Sequence, residues 1–166
     1  MIDWNGFMAE AGDRLWMDAD AVDVARVIRK SGGYGYLASA YTKRMAVLGH
    51  DAPVRDAFAW RAWFAAFHAP LHSPLEAGHA LVEMDRVRFT GLDGRVQTLP
   101  GDYQEFDFGV DDEAFWNLMN DPLLRGATCV VVPPIYGRDH SAGAAREVRL
   151  ALAAKIPVYV LAELER

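Results

Sequence analysis

The sequence predicts an α/β fold built on a parallel sheet, and three observations carry that expectation. Short apolar runs recur along the chain at Tyr34 to Ala40, Cys129-Val130-Val131-Val132 and Ile156 to Leu161. Segments with helical periodicity lie between them. The chain has 166 residues, 52% of them hydrophobic and 24% charged, which suits one globular domain with a substantial core. Strands alternating with helices make a parallel sheet with right-handed crossovers.

Taken in order, residues 1–33 read as an N-terminal helical extension. Trp4, Phe7, Met8, Leu15 and Trp16 are mixed with acids there and fit a short amphipathic helix or an oligomer contact. Asp20 can cap a helix running to Lys30, which Ser31-Gly32-Gly33 stops. Tyr34 to Ala40 reads as the first core strand, followed by a loop over 41–53 that holds Lys43, Arg44 and His50. Val54 to His68 is a strong helix with aromatics on most sides. A helix apolar nearly all round is buried or lies in an interface. Ala69 to Pro74 fits a short second strand, and Glu76 to Met84 a short helix.

Val87 to Leu99 reads as a hairpin around Leu92-Asp93-Gly94, within an insertion at about 85–110. Asp111 can cap a helix from Asp112 to about Leu124. The strand at 129–133, a helix at about 142–155 and the strand Ile156 to Leu161 complete the domain. No linker or repeat divides the 166 residues.

Bulk properties exclude several classes. A net charge of −6 argues against a nucleic-acid polymer as the main partner, but not against a mononucleotide, which needs only a few local donors. The single Cys129 rules out an intrachain disulfide and sits in an apolar run, as a core thiol does. No stretch reaches membrane-spanning length, and the first residues show no signal peptide, so a cytoplasmic location is expected. His50, His68, His72, His79 and His140 form no ligand cluster, because Pro70 breaks the helical spacing of His68 and His72. No metal or cofactor is expected. The phosphate-loop lysine motif, the Gly-x-Gly-x-x-Gly fingerprint and the Gly-x-Ser-x-Gly elbow are all missing.

The chemistry concentrates in Ser141-Ala142-Gly143-Ala144-Ala145-Arg146-Glu147, between an apolar strand and an Ala-rich helix. Loops after parallel strands are where open α/β sheets bind ligands. A helix N-terminus offers unpaired N–H groups to an anion, and Ser141 and Gly143 allow close approach. Glu147 has Gly143, Ala144, Leu150 and Ala151 as helical neighbours, none charged, with Arg146 and Arg149 on another side. A carboxylate in such surroundings near a ligand loop is a candidate nucleophile or base; the plain alternative is a solvated helix carboxylate. Asp121, in Asn120-Asp121-Pro122, is either a turn residue or the second carboxylate that glycosyl transfer needs. Lys43 and Arg44 are either solvated or paired with a phosphate.

These residues carry a resemblance. Tyr36-Leu37-Ala38-Ser39-Ala40-Tyr41 resembles the opening strand and loop of the nucleoside 2-deoxyribosyltransferase superfamily. Phe115-Trp116, Asp121 and Cys129 to Val132 resemble its middle helix and strand. Ser141-x-Gly143-x-x-x-Glu147, followed by Ala151 and Ile156-Pro157-Val158, is similar to its nucleophile loop and helix. The likeness covers roughly residues 34–84 and 112–162.

It implies a flavodoxin-like parallel sheet and cleavage or exchange of N-glycosidic bonds. It also implies Glu147 as the nucleophile at the sugar C1′, Asp121 as an acid assisting the base, and Tyr36 as the contact to the nucleophile. In the 2′-deoxynucleoside 5′-phosphate N-hydrolase branch a serine six residues before the nucleophile binds the 5′-phosphate, where Ser141 falls. Ser39, Tyr41, Lys43, Arg44 and Gly143 complete the expected substrate set. The superfamily commonly builds sites at subunit contacts, so a homodimer or higher homo-oligomer is expected, with the helix at 54–68 in the contact. The leading expectation is an N-glycosidase or transferase acting on a nucleoside 5′-monophosphate, most naturally a deoxynucleotide. The alternatives are a nucleotide-sensing module of the same fold and a structural partner protein.

Overall fold

Continuous apolar stretches form the central strands because those strands are covered on both faces. In a computed structural model, which describes residues 1–40, 51–75, 88–90, 95–98 and 113–163, five strands make one sheet. They are β1 (Leu15–Ala19), β2 (Gly35–Leu37), β3 (Leu71–His72), β6 (Cys129–Val132) and β7 (Val158–Leu161). The order across the sheet is β1-β7-β6-β2-β3, and each neighbouring pair is parallel. Two further strands, β4 (Arg88–Thr90) and β5 (Val96–Thr98), pair antiparallel with each other at the position of the expected hairpin. Residues 91–94 between them, the expected helix at 76–84, and Asp111 as a cap lie outside the described residues.

Helices cover both faces, so the fold is the flavodoxin-like α/β one expected. Five helices are described: α1 (Trp4–Ala11), α2 (Ala21–Ser31), α3 (Ala52–Ala66), α4 (Glu113–Arg125) and α5 (Ala142–Ala153). The alternation of strand residues sorts the core into two layers. Tyr36, Val130, Val132, Val158 and Val160 face a layer with Phe7, Leu124, Ala144 and Val148, from α1, α4 and α5. Leu37, Cys129, Val131 and Leu161 face the other, with Ile28, Ala57 and Phe64 from α2 and α3. Cys129 is fully buried there, and burial pushes its thiol up to about 12, so it is inert core.

Local chemistry sets the ends of the helices. The Asp20 carboxylate accepts from the N–H groups of Val22 and Asp23 and starts α2. Gly32 ends it in the left-handed conformation at φ 70°. Ser141 starts α5, its Oγ accepting from the Ala144 N–H at 3.2 Å. Glu147 therefore lies in the second turn of α5, not the first, where the helix-dipole effect has faded.

The N-terminal region departs from expectation. Before α2, residues 4–11 form the α-helix α1, and residues 15–19 form an edge strand, β1, parallel to β7. Leu15 points into the core layer of α1, while Trp16 stacks on Tyr159 of the adjacent strand at 4.8 Å. The segment is thus part of the sheet, not an appendage. It is also clasped to the loop before α5: the Ile2 N–H donates to the Asp139 carbonyl at 2.6 Å, and the Trp4 indole N–H donates to the Asp139 carboxylate at 2.8 Å.

The order in which the chain adds strands across the sheet reverses between β2 and β6. From β2 the chain runs outward over the α3 face to β3; it returns by α4 on the other face to β6. This is the topological switch point, outside whose strand ends such sheets form their binding crevice.

Candidate active site

Two loops border the switch point. The first follows β2 and holds Ser39; the second runs from the end of β6 to Ser141. The Ser39 Oγ is buried and has no hydrogen-bond partner among the described residues. A buried hydroxyl without a partner is uncommon and calls for a ligand, a water or a cost. Tyr41, Lys43 and Arg44, the other residues expected near this loop, lie outside the described residues.

Below the loops, β2 and α5 bring two expected residues into direct contact. Tyr36 projects from β2 toward the α5 layer and is fully buried. Its phenol donates to Glu147 Oε1 at 2.6 Å. Glu147 flanks the buried face formed by Ala144, Val148 and Ala151, and is itself only partly exposed. Burial raises its carboxyl to about 7. The Tyr36 hydrogen bond and the Arg146 charge work against that rise, and Asp121 adds to it. Burial first, and then the charge and hydrogen bond of Glu147, push the Tyr36 phenol far above its ordinary value, so it stays a donor.

Asp121 joins this group through an intermediary. It lies near the end of α4, immediately before Pro122. Its two oxygens accept from Nη1 and Nη2 of Arg146, each at 2.9 Å, in a bidentate fork. Arg146 is the residue that sequence reasoning placed apart from the site. Helical spacing does set it on another side of α5 from Glu147, but its long side chain reaches across to α4. Nothing local signals that contact, which spans 25 positions.

At the head of α5, Ser141 is buried and serves as the N-cap, leaving its own hydroxyl proton to donate. Gly143 is exposed in the first turn, and a Cβ there would meet nothing closer than 3.9 Å. Among the described residues no group of three or more His, Cys, Asp or Glu side chains is placed to hold a metal ion. No described helix is long and apolar enough to cross a membrane.

No family model, curated protein or solved structure matches the chain. The functional reading therefore stands on the site's own chemistry and on the motif resemblance.

A carboxyl at about 7, withdrawn from water and held by a phenol, exists in both protonation states at neutral pH. It can attack as a carboxylate or deliver a proton as an acid. The hydroxyls of Ser39 and Ser141 and the first N–H groups of α5 lie on the two loops that border the switch point. The set offers one nucleophile and several neutral donors.

Proposed function

We propose that this protein cleaves, or transfers across, the N-glycosidic bond of a nucleoside 5′-monophosphate, with deoxynucleotides the preferred class. The observation that carries the reading is the Glu147 carboxyl, taken from water on the helix that follows the switch-point loop and fixed at 2.6 Å by Tyr36. In this reading the Glu147 carboxylate attacks C1′. The C1′–N bond breaks, the base leaves with the electron pair and takes a proton from water, and a glycosyl ester remains. Water then attacks C1′, its proton passing to the hydroxide left by the first step, the ester bond breaks, and the sugar 5-phosphate leaves as Glu147 returns to a carboxylate. Ser141 and the N–H groups around Gly143 receive the phosphate, as helix N-termini do. Lys43 and Arg44 are proposed as its cationic partners, Tyr41 as a further substrate contact, and a homo-oligomer as the working assembly.

The test is chromatographic detection of free base after incubation with a mixed pool of deoxynucleotides and ribonucleotides. Release by the wild type and near-complete loss in Glu147→Gln is the expected pair of results. Since the attacking form is ionised, turnover rises as pH passes through about 7 and levels off above it. No base release, with nucleotide still raising the melting temperature, would make the protein a nucleotide sensor instead.

A further inference from the structure

Adjacent residues of α5 reach in different directions. Glu147 turns inward to Tyr36 on β2, and Arg146 turns sideways to Asp121 on α4. The fork fixes the guanidinium at both Nη atoms, with side-chain exposures of 37% for Arg146 and 25% for Asp121. A free arginine side chain samples many rotamers, and a bidentate grip on a rigid helix removes that freedom.

Asp121 uses both oxygens on Arg146, so neither is left to carry a proton to a departing base. That geometry does not suit the acid role the resemblance implied. It suits a different one. A carboxyl set among alanine, valine and tyrosine resists ionisation unless positive charge stands nearby. Among the described residues, the groups acting on Glu147 are Tyr36 from β2, Asp121 from α4 and Arg146 from its own helix. Arg146 is the only cation of the three.

We infer that Asp121 is a positioning residue: by gripping Arg146 with both oxygens across the α4–α5 contact, it holds a fixed positive charge beside Glu147, so that the carboxyl ionises for attack. The inference deepens the reading of Glu147 as nucleophile and rests on it for its purpose. Its test reads the carboxyl directly and needs no turnover.

The experiment is a pH titration of the side-chain carboxyl carbon in protein labelled with ¹³C-glutamate, the Glu147 signal being the one lost in Glu147→Gln. Arg146→Gln moves the midpoint upward by about one pH unit or more, the usual size for loss of a nearby opposite charge. Asp121→Asn decides the matter. If Asp121 acted only as a nearby negative charge, its neutralisation would lower the midpoint. If it holds Arg146 in place, the midpoint rises, because the cation is released. A fall or no change overturns the inference.

Should Asp121→Asn not fold, Arg146→Lys replaces it. Lysine keeps the charge but cannot engage both carboxylate oxygens through a planar fork, so its midpoint lies between those of the wild type and Arg146→Gln. A midpoint equal to the wild type's would then overturn the idea. Absence of base release with the shifts intact would sink the glycosidase reading alone; base release without the shifts would sink this inference alone.

Discussion

At the scale of single residues, the chemistry turns on how Glu147 is kept from water. Its carboxyl ionises near 7 in the folded chain against an ordinary value of 4.5. Between those values the unfolded chain has released the proton while the folded chain still holds it. Stability from this group therefore falls as pH rises through that window, and above 7 the whole contribution is gone. After discounting for residual exposure, the loss is roughly 1–3 kcal/mol. Glu147→Gln carries no charge to bury and keeps an acceptor for the Tyr36 phenol. We expect it to melt close to the wild type at pH 4 and several degrees above it at pH 8, by calorimetry. Equal melting at pH 8 would mean that burial does not oppose ionisation of Glu147. The candidate nucleophile was legible in the sequence because small, uncharged helical neighbours frame it. Its cation was not, because helical spacing reports neighbours on one helix and the Arg146–Asp121 fork joins two.

At the scale of elements, the head of α5 separates what the fold needs from what a ligand would need. Gly143 is a helical residue with no φ or packing requirement for glycine, since an added Cβ meets only Ser141 Oγ at 3.9 Å. Alanine is the better helix former by about 1 kcal/mol. Gly143→Ala is thus expected to stabilise the protein by about that amount in urea unfolding. The same methyl group stands over the N–H groups proposed to take the phosphate, so nucleoside monophosphate binding weakens while free nucleoside binding changes little. Stabilisation with unaltered nucleotide affinity would remove the anion from this helix end.

The continuous apolar runs of β2, β6 and β7 were readable because both faces of those strands are covered. β1 was not. An edge strand of five residues alternates buried and exposed positions, and in Leu15-Trp16-Met17-Asp18-Ala19 that alternation is too brief to stand out from an amphipathic helix.

At the scale of the whole molecule, assembly turns on the aromatic helix α3. Phe64 is buried, with Trp60 and Trp63 at centroid distances of 6.3 and 5.1 Å from it, and Phe67 packs on Trp63 at 4.5 Å. Phe58 is 63% exposed. Trp4 and Phe7 do not cover it, since they belong to the core layer on the opposite face of the sheet, and Trp16 is stacked on Tyr159. We expect light scattering at micromolar concentration to give the mass of a dimer or larger oligomer. A clean monomer mass would leave Phe58 as solvated surface and refute an interface on α3.

The clasp at Arg138 and Asp139 has a topological meaning. Asp139 binds the backbone of Ile2, and the neighbouring Arg138 donates from Nη1 to the carbonyl of Leu161, the last residue of β7, at 3.0 Å. Two consecutive residues thus hold the beginning of the chain and the end of its last strand side by side. α1 packs on the sheet face beside β7 and leads into β1, which lies parallel to β7, as a crossover helix and the strand after it do. Counted from β2, with β1 placed after β7, the strands stand across the sheet in the order 2-1-3-4-5, the flavodoxin strand order. The edge strand that the flavodoxin order places last, beyond the fourth, is thus supplied here by β1, which precedes the other four in the chain.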